Sequence, residues 1–154
     1  MTEATDTFLM GDTLVPGSAC ARPFVLEKPL SFWGGYDSGA GRIVDRRHPQ
    51  AGASLAGKVM VMPHAKGSSS SSSVLAEAVR NGTGPVGIVL KERDLIISIG
   101  AIVAAELYAI AVPVVCVADD VYDAIVAATC EVRIDAGEGD GGARVYLGAD
   151  AGPG

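Results

Sequence analysis

With 154 residues, 49% of them hydrophobic, the chain is long enough to bury one core and too short for two domains of ordinary size. A formal net charge of -6, with no run of Lys or Arg beyond Arg46-Arg47, gives none of the electrostatic footprint that draws proteins to phosphate backbones, so nucleic acid is not an expected partner. Twenty glycines against three Phe, four Tyr and one Trp point to many tight turns around Val, Ile, Leu and Ala, which suits an α/β class.

Residues 1–12 are polar and acidic, with neither a basic start nor an apolar run, so no targeting segment is expected and the reading is a soluble, cytoplasmic protein. Residues 1–10 are expected to be a flexible N-terminus, 11–148 one domain and 149–154 a frayed C-terminus. The first regular element expected is a strand over 18–26, ending before Glu27-Lys28-Pro29. From 30 to 52 no steady period appears, and Trp33, the paired glycines Gly34-Gly35 and His48-Pro49 mark a long loop. A loop of that length in a small domain is either the edge of a binding site or an irregular surface arm.

Residues 57–62 return to a short apolar run of buried-strand character, stopped by Pro63. Then come His64-Ala65-Lys66-Gly67, six consecutive serines from Ser68 to Ser73, and an amphipathic helical stretch closed by Asn81-Gly82. A Gly/Ser tract can be a flexible linker, but this one lies between a buried-type strand and a helix, where a strand-to-helix turn belongs. The alternation continues with a strand over 85–90, a helix over 94–109 capped near Asp94, a strand over 113–117 and a short helix over 119–127 with Asp119 and Asp120 at its positive end. Segments 132–134 and 143–147 read as a closing hairpin across a Gly-rich turn. The most apolar stretch, 95–117, is broken by Glu106 and Pro113 and is read as helix plus strand, not a membrane span. Cys20, Cys116 and Cys130 have no metal-knuckle spacing, and each is a small buried hydrophobe on the simplest reading.

The serine turn carries the candidate chemistry. Gly67 lets a ligand approach the backbone, the first N–H groups of the helix lack intrahelical partners, the macrodipole adds positive potential, and Lys66 adds a full charge. A serine there could bind a carboxylate or phosphate, or take a proton if its alkoxide were stabilised; it could equally be only a turn and a cap. Trp33 can cover a pocket, anchor a partner or pack in the core; His48 and His64 can meet substrate or stand as ordinary loop residues.

Several motifs in order, Leu30-Ser31-Phe32-Trp33-Gly34-Gly35, Gly41-Arg42-Ile43-Val44-Asp45-Arg46-Arg47-His48-Pro49, Gly57-Lys58-Val59-Met60-Val61-Met62-Pro63, Lys66-Gly67-Ser68 and Ile110-Ala111-Val112-Pro113, resemble the small subunit of the aconitase X family. The resemblance implies a swivelling β/β/α domain like the mobile domain of aconitases and a hydro-lyase that is active only with a large partner subunit holding an iron–sulfur cluster. It also implies Ser68 as the proton-abstracting base; in the turn that carries it Lys66, Gly67, Ser69 and Ser70 are expected to hold the substrate, with His64, Trp33 and His48 as the further candidate contacts. Lys66 stands where the family usually has arginine, a point charge replacing a bidentate fork. Bacterial members dehydrate cis-3-hydroxy-L-proline and archaeal ones phosphomevalonate; the wording around Trp33 and Arg46 to Pro49 is nearer the bacterial kind. A non-catalytic binding or regulatory module on the same fold is the remaining alternative.

Overall fold

The computed structural model describes residues 8–138 and 142–148. Ten strands and four helices follow in the order β1 (Leu9–Val15), β2 (Gly17–Ala21), β3 (Pro23–Val25), α1 (Phe32–Gly35), β4 (Tyr36–Asp37), β5 (Arg42–Ile43), β6 (Val59–Val61), α2 (Ser71–Asn81), β7 (Gly87–Leu90), α3 (Leu95–Tyr108), β8 (Val114–Cys116), α4 (Asp119–Ala127), β9 (Val132–Ala136) and β10 (Ala143–Leu147) among those residues. Eight strands form one sheet in the order β2-β9-β10-β1-β8-β7-β6-β3, with β3, β6, β7 and β8 parallel and the others antiparallel.

The parallel strands are apolar on both faces because both are covered. One face turns Val59, Val61, Val89 and Val115 against Val132, Ile134 and Val145 of the antiparallel half. The other turns Met60, Met62, Ile88, Leu90 and Val114 toward Leu75 and Val79 of α2 and Ile97 and Ala101 of α3. Sheet half, sheet half and helices therefore stack as β/β/α layers. Strand β1 joins the two halves: Leu9 to Gly11 pair with β10, and Asp12 to Val15 with β8, across a register irregularity after Thr13. At the crossing a side chain on Gly11 would come within 2.8 Å of Val117 Cγ1 and 3.0 Å of the Cys116 carbonyl oxygen, so the strands meet there only because the residue is glycine.

Most expected elements are present, and the differences have physical causes. The single strand expected over 18–26 is two, β2 paired to β9 and β3 paired to β6. Leu9 and Met10, assigned to the N-terminal arm, open β1; residues 1–7, 139–141 and 149–154 lie outside the described residues, and with them most of the expectations for the termini. The 30–52 segment is not structureless: it holds α1 and the β4–β5 hairpin, and Leu30, Phe32, Tyr36 and Ile43 are buried in the helix-side core. Tyr36 fastens it, its hydroxyl donating to the Thr83 carbonyl (2.7 Å) and accepting from the Leu55 N–H (3.0 Å). Helix α2 starts at Ser71, within the serine tract, and ends at Gly82 with φ 76, whose N–H reaches the Ala78 and Val79 carbonyls. Asp94 caps α3 through the Ile97 N–H at 2.6 Å. Among the described residues no helix is long and apolar enough to cross a membrane.

Candidate active site

Strands β3, β6, β7 and β8 run the same way, so the segments leaving β3, β6 and β7 and the starts of α2 and α3 share one edge of the sheet. Ligands of open α/β sheets bind at that carboxyl edge. The segments are tied together: the N–H groups of Lys91 and Glu92 donate to the Pro63 carbonyl (2.9 and 3.1 Å), and Ser72 Oγ donates to the Ile96 carbonyl (2.8 Å).

The serines of the tract differ in surroundings: Ser72 reaches α3, Ser71 is buried, and Ser68, Ser69, Ser70 and Ser73 are exposed. Ser71 is 1% exposed, and its Oγ accepts from the Trp33 N–H at 3.0 Å and stands 3.5 Å from Ser31 Oγ. Ser31 Oγ in turn donates to the Trp33 carbonyl at 2.9 Å. This knot fastens the loop after β3 to the mouth of α2. Gly67 sits over it with φ 103, and a side chain there would come within 2.7 Å of Ser31 Cβ and 3.1 Å of Ser71 Oγ. Ser68, Ser69 and Ser70 are exposed at the mouth of the helix. The carbonyls of Ser68, Ser69 and Ser70 accept from the N–H groups of Ser71, Ser72 and Ser73, at 3.0 to 3.1 Å. Of the two N–H groups expected to face a ligand, that of Ser70 is directed onto Ser68 Oγ at 3.3 Å, and that of Ser69 meets no protein acceptor among the described residues.

Lys66 and His64 are exposed beside the turn, and His64 Nδ1 lies 3.2 Å from the Ala65 carbonyl. Trp33 is 59% exposed at the same edge, so the core-packing alternative for its indole does not hold. His48, read as a loop residue presented to ligand or partner, is instead 6% exposed. Its Nδ1 accepts from the Gln50 N–H (3.1 Å), which leaves the proton on Nε2 to be donated to the Lys28 carbonyl (2.9 Å). Both ring nitrogens are spent on holding the wall of the site. A cavity of about 320 Å³ beside the turn gathers Lys66 with Lys28, Pro29, Asp45, Arg47 and His48. Sequence reasoning missed Lys28, Ser31 and Ser71 as parts of this site, since the contacts that bring them in span 20 to 40 residues. A larger cavity, about 570 Å³, opens at the opposite edge near Cys20, Arg80 and Ile110, and none of the expected site residues lines it.

The cysteines do not form a metal site. None of the three is the buried small hydrophobe expected: Cys20 on β2 is exposed, and Cys116 on β8 and Cys130 after α4 are only partly buried, because each lies at the border of the core; partial desolvation, joined at Cys20 by the Glu131 carboxylate, raises the pKa of Cys20 and Cys116 and favours the thiol. Among the described residues no group of three or more His, Cys, Asp or Glu is arranged to hold a metal ion.

A family model described as the aconitase X swivel domain matches residues 8–141. The cis-3-hydroxy-L-proline dehydratase of Pseudomonas aeruginosa is 41% identical over 107 residues, which are 70% of this chain and 18% of that protein. The phosphomevalonate dehydratase small subunit of Methanothermobacter thermautotrophicus is 37% identical over 115 residues, 75% of this chain and 83% of that subunit. The crystal structure of Thermococcus kodakaraensis aconitase X in its holo-form matches with a TM-score of 0.74 at 32% identity, covering 92% of this chain and 98% of the matched one. The chain thus spans about a fifth of the bacterial dehydratase and most of the archaeal small subunit.

Proposed function

The chain belongs to the aconitase X swivel-domain family, and on that premise we propose that it is the small subunit of a dehydratase that removes water from a hydroxy acid in a cleft shared with a larger partner. The partner is supported by the name small subunit carried by the archaeal relatives. The substrate proposed first is cis-3-hydroxy-L-proline, supported by the 41% identity to a dehydratase of that name; phosphomevalonate is the second reading, supported by the archaeal relatives.

One observation carries the assignment of Ser68 as base: it is exposed at the mouth of α2 with the Ser70 N–H directed at its Oγ. A serine takes a proton from carbon only if its alkoxide is stabilised. That N–H, the positive end of the helix and the nearby Lys66 ammonium all favour negative charge on this oxygen. The carboxylate of the substrate would lie against Lys66 and the Ser69 N–H, and the exposed Trp33 indole would cover the ring or chain of the acid. His64 would border the same opening, while His48 would act by holding the Lys28 backbone. The iron–sulfur cluster of the family is assigned to the large partner, where it would draw on the departing hydroxyl. The thiols of this chain, on β2, β8 and the segment after α4, do not fit such a group.

The test is Ser68→Ala, co-expressed with the large subunit and assayed on both hydroxy acids. Turnover is expected to fall by about 100-fold or more with KM little changed, the loss typical of removing a positioned base. Undiminished turnover removes Ser68 from the mechanism.

A further inference from the structure

The 320 Å³ cavity beside the serine turn has an electrostatic character that the proposed base does not require. Lys28, Arg47 and Lys66 line it with the single carboxylate of Asp45, and His48 places its two ring nitrogens on the Gln50 N–H and the Lys28 carbonyl. Three cations less one anion leave an excess of two positive charges at one concavity, in a chain whose net charge is -6. Among the described residues Lys28 and Lys66 have no carboxylate within ion-pair reach. Arg47 meets Asp45 only at 4.0 Å, with 96% of its side chain exposed.

The backbone segments that carry Lys28 and Arg47 are tied to each other. His48, more than nine-tenths buried, bridges the Lys28 carbonyl and the Gln50 N–H. The Gln50 side chain then grips the segment leaving β3, accepting from the Glu27 N–H (2.9 Å) and donating to the Val25 carbonyl (3.0 Å). Asp45 accepts from the Arg47 N–H at 3.0 Å, which orients the turn that presents the guanidinium. Like charges gathered around one opening repel, and an entering anion relieves that repulsion.

We propose that this basin is an oxyanion subsite that receives a carboxylate or phosphate group of the substrate. That the bound oxyanion belongs to the substrate rests on the dehydratase reading above; the existence of the subsite does not. The two acids proposed differ here, since one carries a single carboxylate beside its ring ammonium and the other a carboxylate and a phosphate. An excess of two charges suits a dianion better than a monoanion.

The experiment has two arms. In the first, the full chain is titrated with inorganic phosphate and separately with acetate while backbone amide shifts are followed by NMR. Saturable shifts are expected at Lys28, Arg47, His48 and Lys66, weakened about three- to five-fold by Lys28→Gln or Arg47→Gln and about tenfold or more by the double variant. Asp45→Asn keeps the acceptor for the Arg47 N–H and is expected to tighten binding, and Arg46→Gln, outside the cavity, to leave it unchanged. Phosphate binding more tightly than acetate favours the phosphorylated acid, and equal binding favours a simple carboxylate. Shifts that do not saturate, or that persist unchanged in the double variant, overturn the subsite.

In the second arm the chain reconstituted with its large partner is assayed on both hydroxy acids. Arg47→Gln is expected to raise KM for the acid that uses the basin by about three- to five-fold at nearly constant kcat. Dehydration with KM unmoved by Arg47→Gln and by Lys28→Gln overturns the subsite while the dehydratase reading stands. Saturable phosphate binding by a pair that dehydrates neither acid overturns the reading while the subsite stands.

Discussion

Six neighbouring serines of identical chemistry have different fates because each faces a different neighbour. Ser71 is locked under the Trp33 N–H, Ser72 reaches across to the Ile96 carbonyl, and Ser68 to Ser70 stay open at the edge. Replacing Ser71 by Ala leaves the Trp33 N–H without its acceptor, at an expected cost of about 1–3 kcal/mol in denaturant unfolding. Because Trp33 is the only tryptophan of the chain, its emission reports the loosened knot directly. Gly67→Ala combines an unfavourable φ with a clash against Ser31 and is expected to cost about 2 kcal/mol or more and to shift the same emission. An unchanged unfolding midpoint and spectrum in both variants would show that the knot does not hold the turn. None of this could be read from the run of serines, since a one-residue change in where α2 starts re-aims every hydroxyl.

Helices α2 and α3 approach closely at one point. A side chain on Gly100 would come within 2.9 Å of the Ser72 carbonyl oxygen and 3.0 Å of Leu75 Cδ2, so Gly100→Ala is expected to force the helices apart and lower stability by about 1–3 kcal/mol, checked by urea unfolding. The gain in helix propensity of alanine over glycine, about 1 kcal/mol, would win only if the helices could separate freely. The bounds of α2, α3 and α4 were largely legible because their signals are local: Gly82 stops α2, Asp94 starts α3, and Asp119 and Asp120 stand in the first turn of α4. Strand β1 and the β4–β5 hairpin were not. The strand carries Gly11 and Asp12 between apolar residues and owes its form to pairing with β10 on one half and β8 on the other. The hairpin has two residues to a side and is held by Tyr36 reaching Thr83 and Leu55. Neither signal exists within the segment itself.

Tyr122 joins the cluster between the two sheet halves at 7% exposure, and burial pushes its phenol up to about 12 from 10.0. Between those values the folded chain binds the proton that the unfolded chain has released, so this contribution to stability is full below pH 10 and is lost as pH rises toward 12. A pH titration of unfolding is expected to show that decline, and Tyr122→Phe to flatten it. Phenolate absorbance of the folded protein showing all four tyrosines ionised near 10 would refute the burial argument. At this scale the sequence alone determined the α/β alternation, the helix stops and caps, and the place of the serine turn between β6 and α2. Those follow from periodicity and from residue types that act on their immediate neighbours. Tertiary structure decided which serines remain open, that His48 is a buried strut, and that Lys28 and Arg47 line one cavity with Lys66. Those depend on contacts between residues tens of positions apart, whose free energy is set by the layers that bring them together and by no local pattern.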